Sequence, residues 1–242
     1  MKLKLLPVAL LAMTSFAFAQ QKVPYWKASS KSDYVALESR MQLPQKNLFD
    51  LNAQALMDDL SNAPRRSANV KSSSVILSLP NSDGQMERFS VYENSNMDPA
   101  LAARFPEIKS YIGIGIDNPT STAYFSTSPL GFKSMVLAAD KPAVFIEPVS
   151  QDLTTYTVYR KLDKKAAFTP FECGVINEVK NEIDPSAFRP NADDSTLRTF
   201  RLALSVTGEY TAYFGGTKAL ALAAMNNSMT RVNGVFATDF AI

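Results

Sequence analysis

The chain has 242 residues, 46% of them hydrophobic and 20% charged, which excludes collagen-like, low-complexity and wholly disordered proteins. Lys and Arg number 25 against 23 Asp and Glu, so no net field favours nucleic acid or an anionic membrane. There is no histidine and one cysteine: zinc hydrolases with His ligands, Ser-His-Asp triads, Cys-His dyads and an intramolecular disulfide are all excluded for this chain on its own.

Residues 1–19 read as a cleavable signal peptide. Lys2 and Lys4 form a positive start, residues 5–16 an apolar run, and Ala17-Phe18-Ala19 a small-x-small cleavage signal, which predicts a mature chain beginning at Gln20 after Ala19. The run is too short for a membrane span, and no later stretch is long and apolar enough for one. The expected location is secreted or periplasmic.

Residues 20–72 form a polar, partly helical N-terminal segment, with Phe49, Leu51, Ala55, Leu56 and Leu60 at helix-like spacing before Ala63-Pro64. Arg65-Arg66 reads as an exposed connection, with a dibasic processing site as the alternative. The period then changes to two. Residues 73–161 form a β-rich core. Val75, Leu77 and Leu79 alternate, Asp83-Gly84 marks a hairpin turn, and Phe89 and Val91 alternate again. Asp98-Pro99 predicts a short helix ending near Arg104. Strands follow at 111–116, 123–125, 132–137, 144–147 and 156–160, punctuated by Pro and Gly turns, which predicts an antiparallel layer pair or half-closed barrel. Gly113 and Gly115 share one face and read as close backbone contacts.

Residues 162–198 are charged, carry three prolines and read as a long linker. From 199 a new pattern begins: Phe200, Leu202, Leu204 and Val206 alternate as a strand, and Thr217 caps a helix. Its apolar stripe is Leu222, Met225, Met229, Val232 and Phe236, and a second strand is predicted from Phe236. The fold class expected is therefore α+β, a β-rich antiparallel domain followed by an incomplete strand-helix-strand unit. The chain stops inside an apolar segment, which predicts that it is a fragment.

Phe89-Ser90-Val91-Tyr92-Glu93, Met97-Asp98-Pro99-Ala100-Leu101 through to Tyr111, Gly113-Ile114-Gly115-Ile116-Asp117-Asn118-Pro119, Phe125-Ser126, Pro129-Leu130-Gly131-Phe132 and Phe145-Ile146-Glu147-Pro148 resemble the proregion of exported bacterial reprolysin-like zinc metalloproteases. Residues 198–242 are similar to the start of their catalytic domain. The resemblance implies a zymogen fragment whose proregion folds with, and inhibits, its own catalytic domain. That family's His-Glu-x-x-His-x-x-Gly-x-x-His centre is missing here, so no catalytic residue, no zinc ligand set and no peptidase activity carry over to this chain. No nucleic-acid partner and no cofactor within this chain are implied; zinc belongs to the full-length family.

Cys173 follows Pro170 and precedes Gly174 and Val175, the form of a cysteine switch in which a proregion thiolate takes the water position on the catalytic zinc. The alternative is an ordinary thiol. Activation cleavage is expected within Asp193-Asp194-Ser195-Thr196-Leu197-Arg198, a polar stretch near a proline. A second functional class stays open: a stand-alone exported β-rich binding or adhesion module.

Overall fold

The computed structural model describes residues 24–30, 34–37, 43–67, 69–70, 72–163 and 201–239. Nine strands form one antiparallel sheet: β1 (Trp26–Ala28), β2 (Leu48–Leu51), β3 (Ile76–Pro80), β4 (Met86–Glu93), β5 (Lys109–Gly115), β6 (Thr122–Ser128), β7 (Gly131–Leu137), β8 (Val144–Pro148) and β9 (Thr155–Arg160). From β3 to β9 every strand pairs antiparallel with its sequence neighbour; all connections but β4–β5, which carries a short helix over 99–104, are turns of a few residues. The N-terminal segment then adds itself to the far edge: β2 pairs with β9, with Phe49 opposite Tyr156, and β1 pairs with β2. The sheet curls until β1 approaches β3, giving a nearly closed barrel.

Alternation along each strand sends one set of side chains inside. Trp26, Phe49, Leu77, Phe89, Val91, Tyr111, Phe125, Phe132, Ile146, Tyr156 and Val158 fill the interior. Trp26, the only tryptophan, meets Phe132 and Tyr156 edge-on at ring separations of 5.4 and 5.3 Å, and thereby fixes β1 against the meander. Helix α1 (Ala53–Leu60) closes the end at which β2 finishes and β9 begins. The Asn52 side chain accepts the Ala55 N–H at 3.2 Å as its N-cap, and Leu56 and Leu60 point into the core. Phe49 and Leu51 therefore belong to a strand and not to the helix expected over 49–60. The helix starts only after Asn52, and the two residues before it alternate with the β9 register.

The hairpin predicted at Asp83-Gly84 joins β3 to β4, and Asn81 Oδ1 accepts the Asp83 and Gln85 N–H groups at 2.9 and 3.0 Å. Helix α2 (Pro99–Arg104) is capped by Asp98, whose carboxylate accepts the Ala100 N–H at 2.9 Å. Arg65 is exposed, as expected of a connection, yet its backbone is tied down beside β4, with Arg66 N–H on the Glu93 carbonyl at 2.8 Å. The two strand glycines act as close contacts. A Cβ on Gly113 would lie 3.0 Å from that of Phe89, and one on Gly115 would lie 2.1 Å from the Asn118 carbonyl oxygen. Gly115→Ala must open the β5–β6 turn. It is expected to lower stability by about 1–3 kcal/mol, read as a lower denaturant midpoint at unchanged slope; an unchanged midpoint would show that the turn yields freely.

After the barrel come helices α3 (Gly208–Tyr213) and α4 (Lys218–Asp239), with Leu220 N–H on the Thr217 hydroxyl at 3.2 Å as predicted for the cap. Neither expected strand is present among residues 201–239. Residues 201–207 are irregular and exposed, Leu202 at 64%, and pair with no described strand. Helix α4 runs through Asn233-Gly234 to Asp239, so 236–239 is helical where a strand was expected. The described part of the tail is thus two helices, not strand-helix-strand. No described helix is long and apolar enough to cross a membrane.

Candidate docking site beneath the C-terminal helix

Helix α4 lies across the outer face of β5, β6 and β7. That outer face is mixed. Ile112, Tyr124 and Met135 make a small apolar patch, with Tyr92, Leu137 and Phe145 at its border. Around it stand Ser126, Glu147 and the loop carrying Asn96.

The predicted apolar stripe of α4 is only partly covered: Leu222, Met225 and Met229 are half-buried. Val232 and Phe236 are exposed at 42% and 46%, whereas Ala221, Ala223, Ala224, Asn226, Thr230 and Gly234 are buried. A helix can approach a sheet face this closely only with small residues, and a face rimmed by amides, hydroxyls and a carboxylate needs polar partners. Asn226, Thr230 and Gly234 recur every four residues and so form one stripe of the helix.

Each polar contact follows from that register. Asn96 Nδ2 donates to Thr230 Oγ1 at 2.8 Å and to Asn226 Oδ1 at 3.3 Å, while Asn233 Nδ2 donates to Asn96 Oδ1 at 2.9 Å. Asn96 is itself held by Ser110 of β5, whose hydroxyl accepts the Asn96 N–H at 3.2 Å and donates to the Asn94 carbonyl at 2.8 Å. Ser126 Oγ donates to Asn227 Oδ1 at 3.3 Å.

At the other side of the seam, an Arg231 guanidinium N–H donates to Glu147 at 2.6 Å, and Tyr159 O–H donates to the same carboxylate oxygen at 3.2 Å. The guanidinium also lies 5.3 Å from the centre of the Phe145 ring, which stacks on Tyr159 at 5.5 Å. Glu147 is only 7% exposed, so its charge depends on these partners. Lys133 of β7 completes the group: burial pulls its pKa down, Glu147 partly offsets this, and Arg231 adds to it. Burial and the Glu147 carboxylate push the Tyr159 phenol well above its ordinary range.

Gly234 marks the closest approach. A Cβ there would lie 2.8 Å from the Tyr124 ring. Glycine inside a helix costs about 1 kcal/mol relative to alanine, so Gly234→Ala would stabilise a free helix. On this sheet it should instead loosen α4 by about 1–2 kcal/mol, seen as faster hydrogen exchange of α4 amides. Slower exchange would show that the ring moves aside at no cost.

The predicted site residues lie elsewhere. Cys173 with Pro170, Gly174 and Val175, the cleavage stretch 193–198, and Ala19 and Gln20 all fall outside the described residues. Among the described residues, no group of three or more Cys, Asp or Glu could hold a metal ion, and the chain has no histidine. The seam itself went unforeseen: Asn96, Glu147 and Arg231 carry no spacing signal, and only the four-residue recurrence at 226, 230 and 234 could have pointed to it. Comparison with family models, with curated proteins and with solved structures finds no match for this chain.

Proposed function

We propose that this chain is the proregion-bearing part of an exported reprolysin-like zinc metalloendopeptidase zymogen, whose barrel holds and restrains the segment that follows it. The observation that carries the reading is the seam. A β platform binds a helix of the downstream segment through amides, hydroxyls and one ion pair, with only a small apolar patch beneath. Such an interface is specific in register and can be released, since polar partners find water again on separation. The stretches that resemble the proregion also supply platform residues: Ser110 and Glu147 lie within them, and Asn96 immediately precedes the one that begins at Met97.

In this reading the catalytic zinc is held by histidines that this chain does not contain, and no hydrolytic step belongs to its residues. Zinc in the full-length enzyme would activate water, and the Cys173 thiol is the group of this chain that would compete for that position. The barrel's part is to fold first and seat the downstream helix, and cleavage within 193–198 would separate the two.

The test uses a full-length relative that carries the zinc motif. Serine at the Cys173 position is expected to give peptidase activity before any cleavage, with the barrel still folded. Unchanged latency removes the switch. A first mature residue beyond Thr199 removes the proposed cleavage stretch.

A further inference from the structure

The barrel has two ends, and only one is closed by α1. At the other end, where β3, β7 and β9 finish and β4, β6 and β8 begin, a cavity of about 170 Å³ opens between the strands. Its floor is apolar: Leu79, Phe89, Val136 and Val144 face it from four strands. Its rim carries both signs of charge, with Lys141 and Arg160 as cations and Glu87 and Asp83 as carboxylates. Lys141 contacts Glu87 at 3.3 Å, and Arg160 uses two of its nitrogens on Asp163, leaving further N–H groups on both cations. The Ser121 hydroxyl lines the same cavity, is buried, and has no hydrogen-bond partner among the described residues.

A buried hydroxyl without a partner is costly unless a bound group satisfies it. An apolar cavity of about 150 Å³ is known to take a benzene ring, so this one has room for an isobutyl or benzyl group. Mouths of β-barrels are recurrent ligand sites for the same reason: an apolar interior lies behind a polar rim. A purely apolar ligand would leave the rim unused. A simple acid or amine would match only half of it.

We propose that this mouth binds a free apolar α-amino acid of leucine to phenylalanine size. The side chain rests on Leu79, Phe89, Val136 and Val144, the carboxylate meets Lys141 and Arg160, and the ammonium meets Glu87 and Asp83. The Ser121 hydroxyl donates to the ligand's carboxylate and so gains the partner it lacks. The site is on the far side of the sheet from the α4 seam and stands whether or not the zymogen reading does.

Calorimetric titration of the full chain with L-phenylalanine, phenylacetate and 2-phenylethylamine tests it. Phenylalanine should saturate one site with a Kd of about 1 mM or tighter, and each half-charged probe should bind at least about tenfold more weakly. Lys141→Met, a change at an exposed side chain, should weaken phenylalanine about tenfold, and Ala138→Phe, which fills the mouth, should abolish binding. Unchanged Trp26 emission shows that either variant is folded. Three results overturn the proposal: no saturation by about 10 mM, equal binding of phenylacetate, or undiminished binding by folded Lys141→Met.

Discussion

Arg231→Met in the full chain is expected to release helix α4 from the sheet and leave the barrel intact. The substitution keeps most of the side-chain volume and removes the charge. Glu147 is then left buried, with the Tyr159 hydroxyl and the neighbouring Lys133 as its remaining support. Breaking a buried ion pair from one side costs about 3–5 kcal/mol, and these two residual partners place the loss near 3 kcal/mol. That corresponds to roughly a hundredfold faster exchange of α4 amides. The barrel core lies on the opposite face of the sheet and shares no side chain with the seam, so Trp26 emission and β5–β6 protection should be unchanged. Replacing both charges, Glu147→Leu with Arg231→Met, should restore much of the protection, because an apolar pair does not carry the desolvation cost. Equal exchange in wild type and Arg231→Met would show that the helix is held by the apolar patch and not by this pair.

The contrast between barrel and helix explains what could be read in advance. The strands from 76 to 160 were legible because turn chemistry and period-two alternation agree there: Asn81-Ser82-Asp83-Gly84, Asn118-Pro119 and Asp140-Lys141-Pro142 each sit between strands that pair with their sequence neighbour. Phe49 and Leu51 were ambiguous because a four-residue strand runs into an eight-residue helix, and two alternating residues cannot be told from one helical turn. For α4 the stripe exists, but it is not the face that the sheet covers most completely. Leu222, Met225, Met229, Val232 and Phe236 do form a stripe, yet the sheet beneath accepts Asn226, Thr230 and Gly234. A hydrophobic stripe predicts burial only where the opposing surface is apolar and at ordinary helix distance. Here Gly234 on Tyr124 sets a shorter distance, and Asn96 and Glu147 set a polar surface. The lone alternation at 201–207 fails for a related reason: a strand exists only with a neighbour, and the alternation pattern does not carry one.

Alkali should unfold this protein through its own core. Tyr111 stacks on Phe125 at 5.1 Å, and Tyr156 lies among Trp26 and Phe132. Burial raises both phenols from 10.0 to about 12; the Glu93 charge adds to the shift at Tyr111, while the Phe132 N–H donated to the Tyr156 hydroxyl works against it. An acid whose folded pKa is raised binds its proton more tightly in the folded state. The stability it contributes is complete below about pH 10 and is lost as the pH rises to about 12. Two units correspond to nearly 3 kcal/mol for each phenol, so the pair can remove a large part of an ordinary domain's stability. Lys133 acts in the opposite sense, since its lowered pKa means that raising the pH toward 10.5 relieves a buried charge. Stability should therefore hold to about pH 10 and then fall steeply, with tyrosinate absorbance of the buried pair arriving together with the loss of Trp26's buried emission. Tyr156→Phe removes one ionising group at a cost of about 1 kcal/mol near neutrality for the lost hydrogen bond, and should shift the alkaline midpoint upward. If it instead left that midpoint unchanged, the alkaline transition would have to begin outside the barrel, and the seam around Tyr159 would be the place to look.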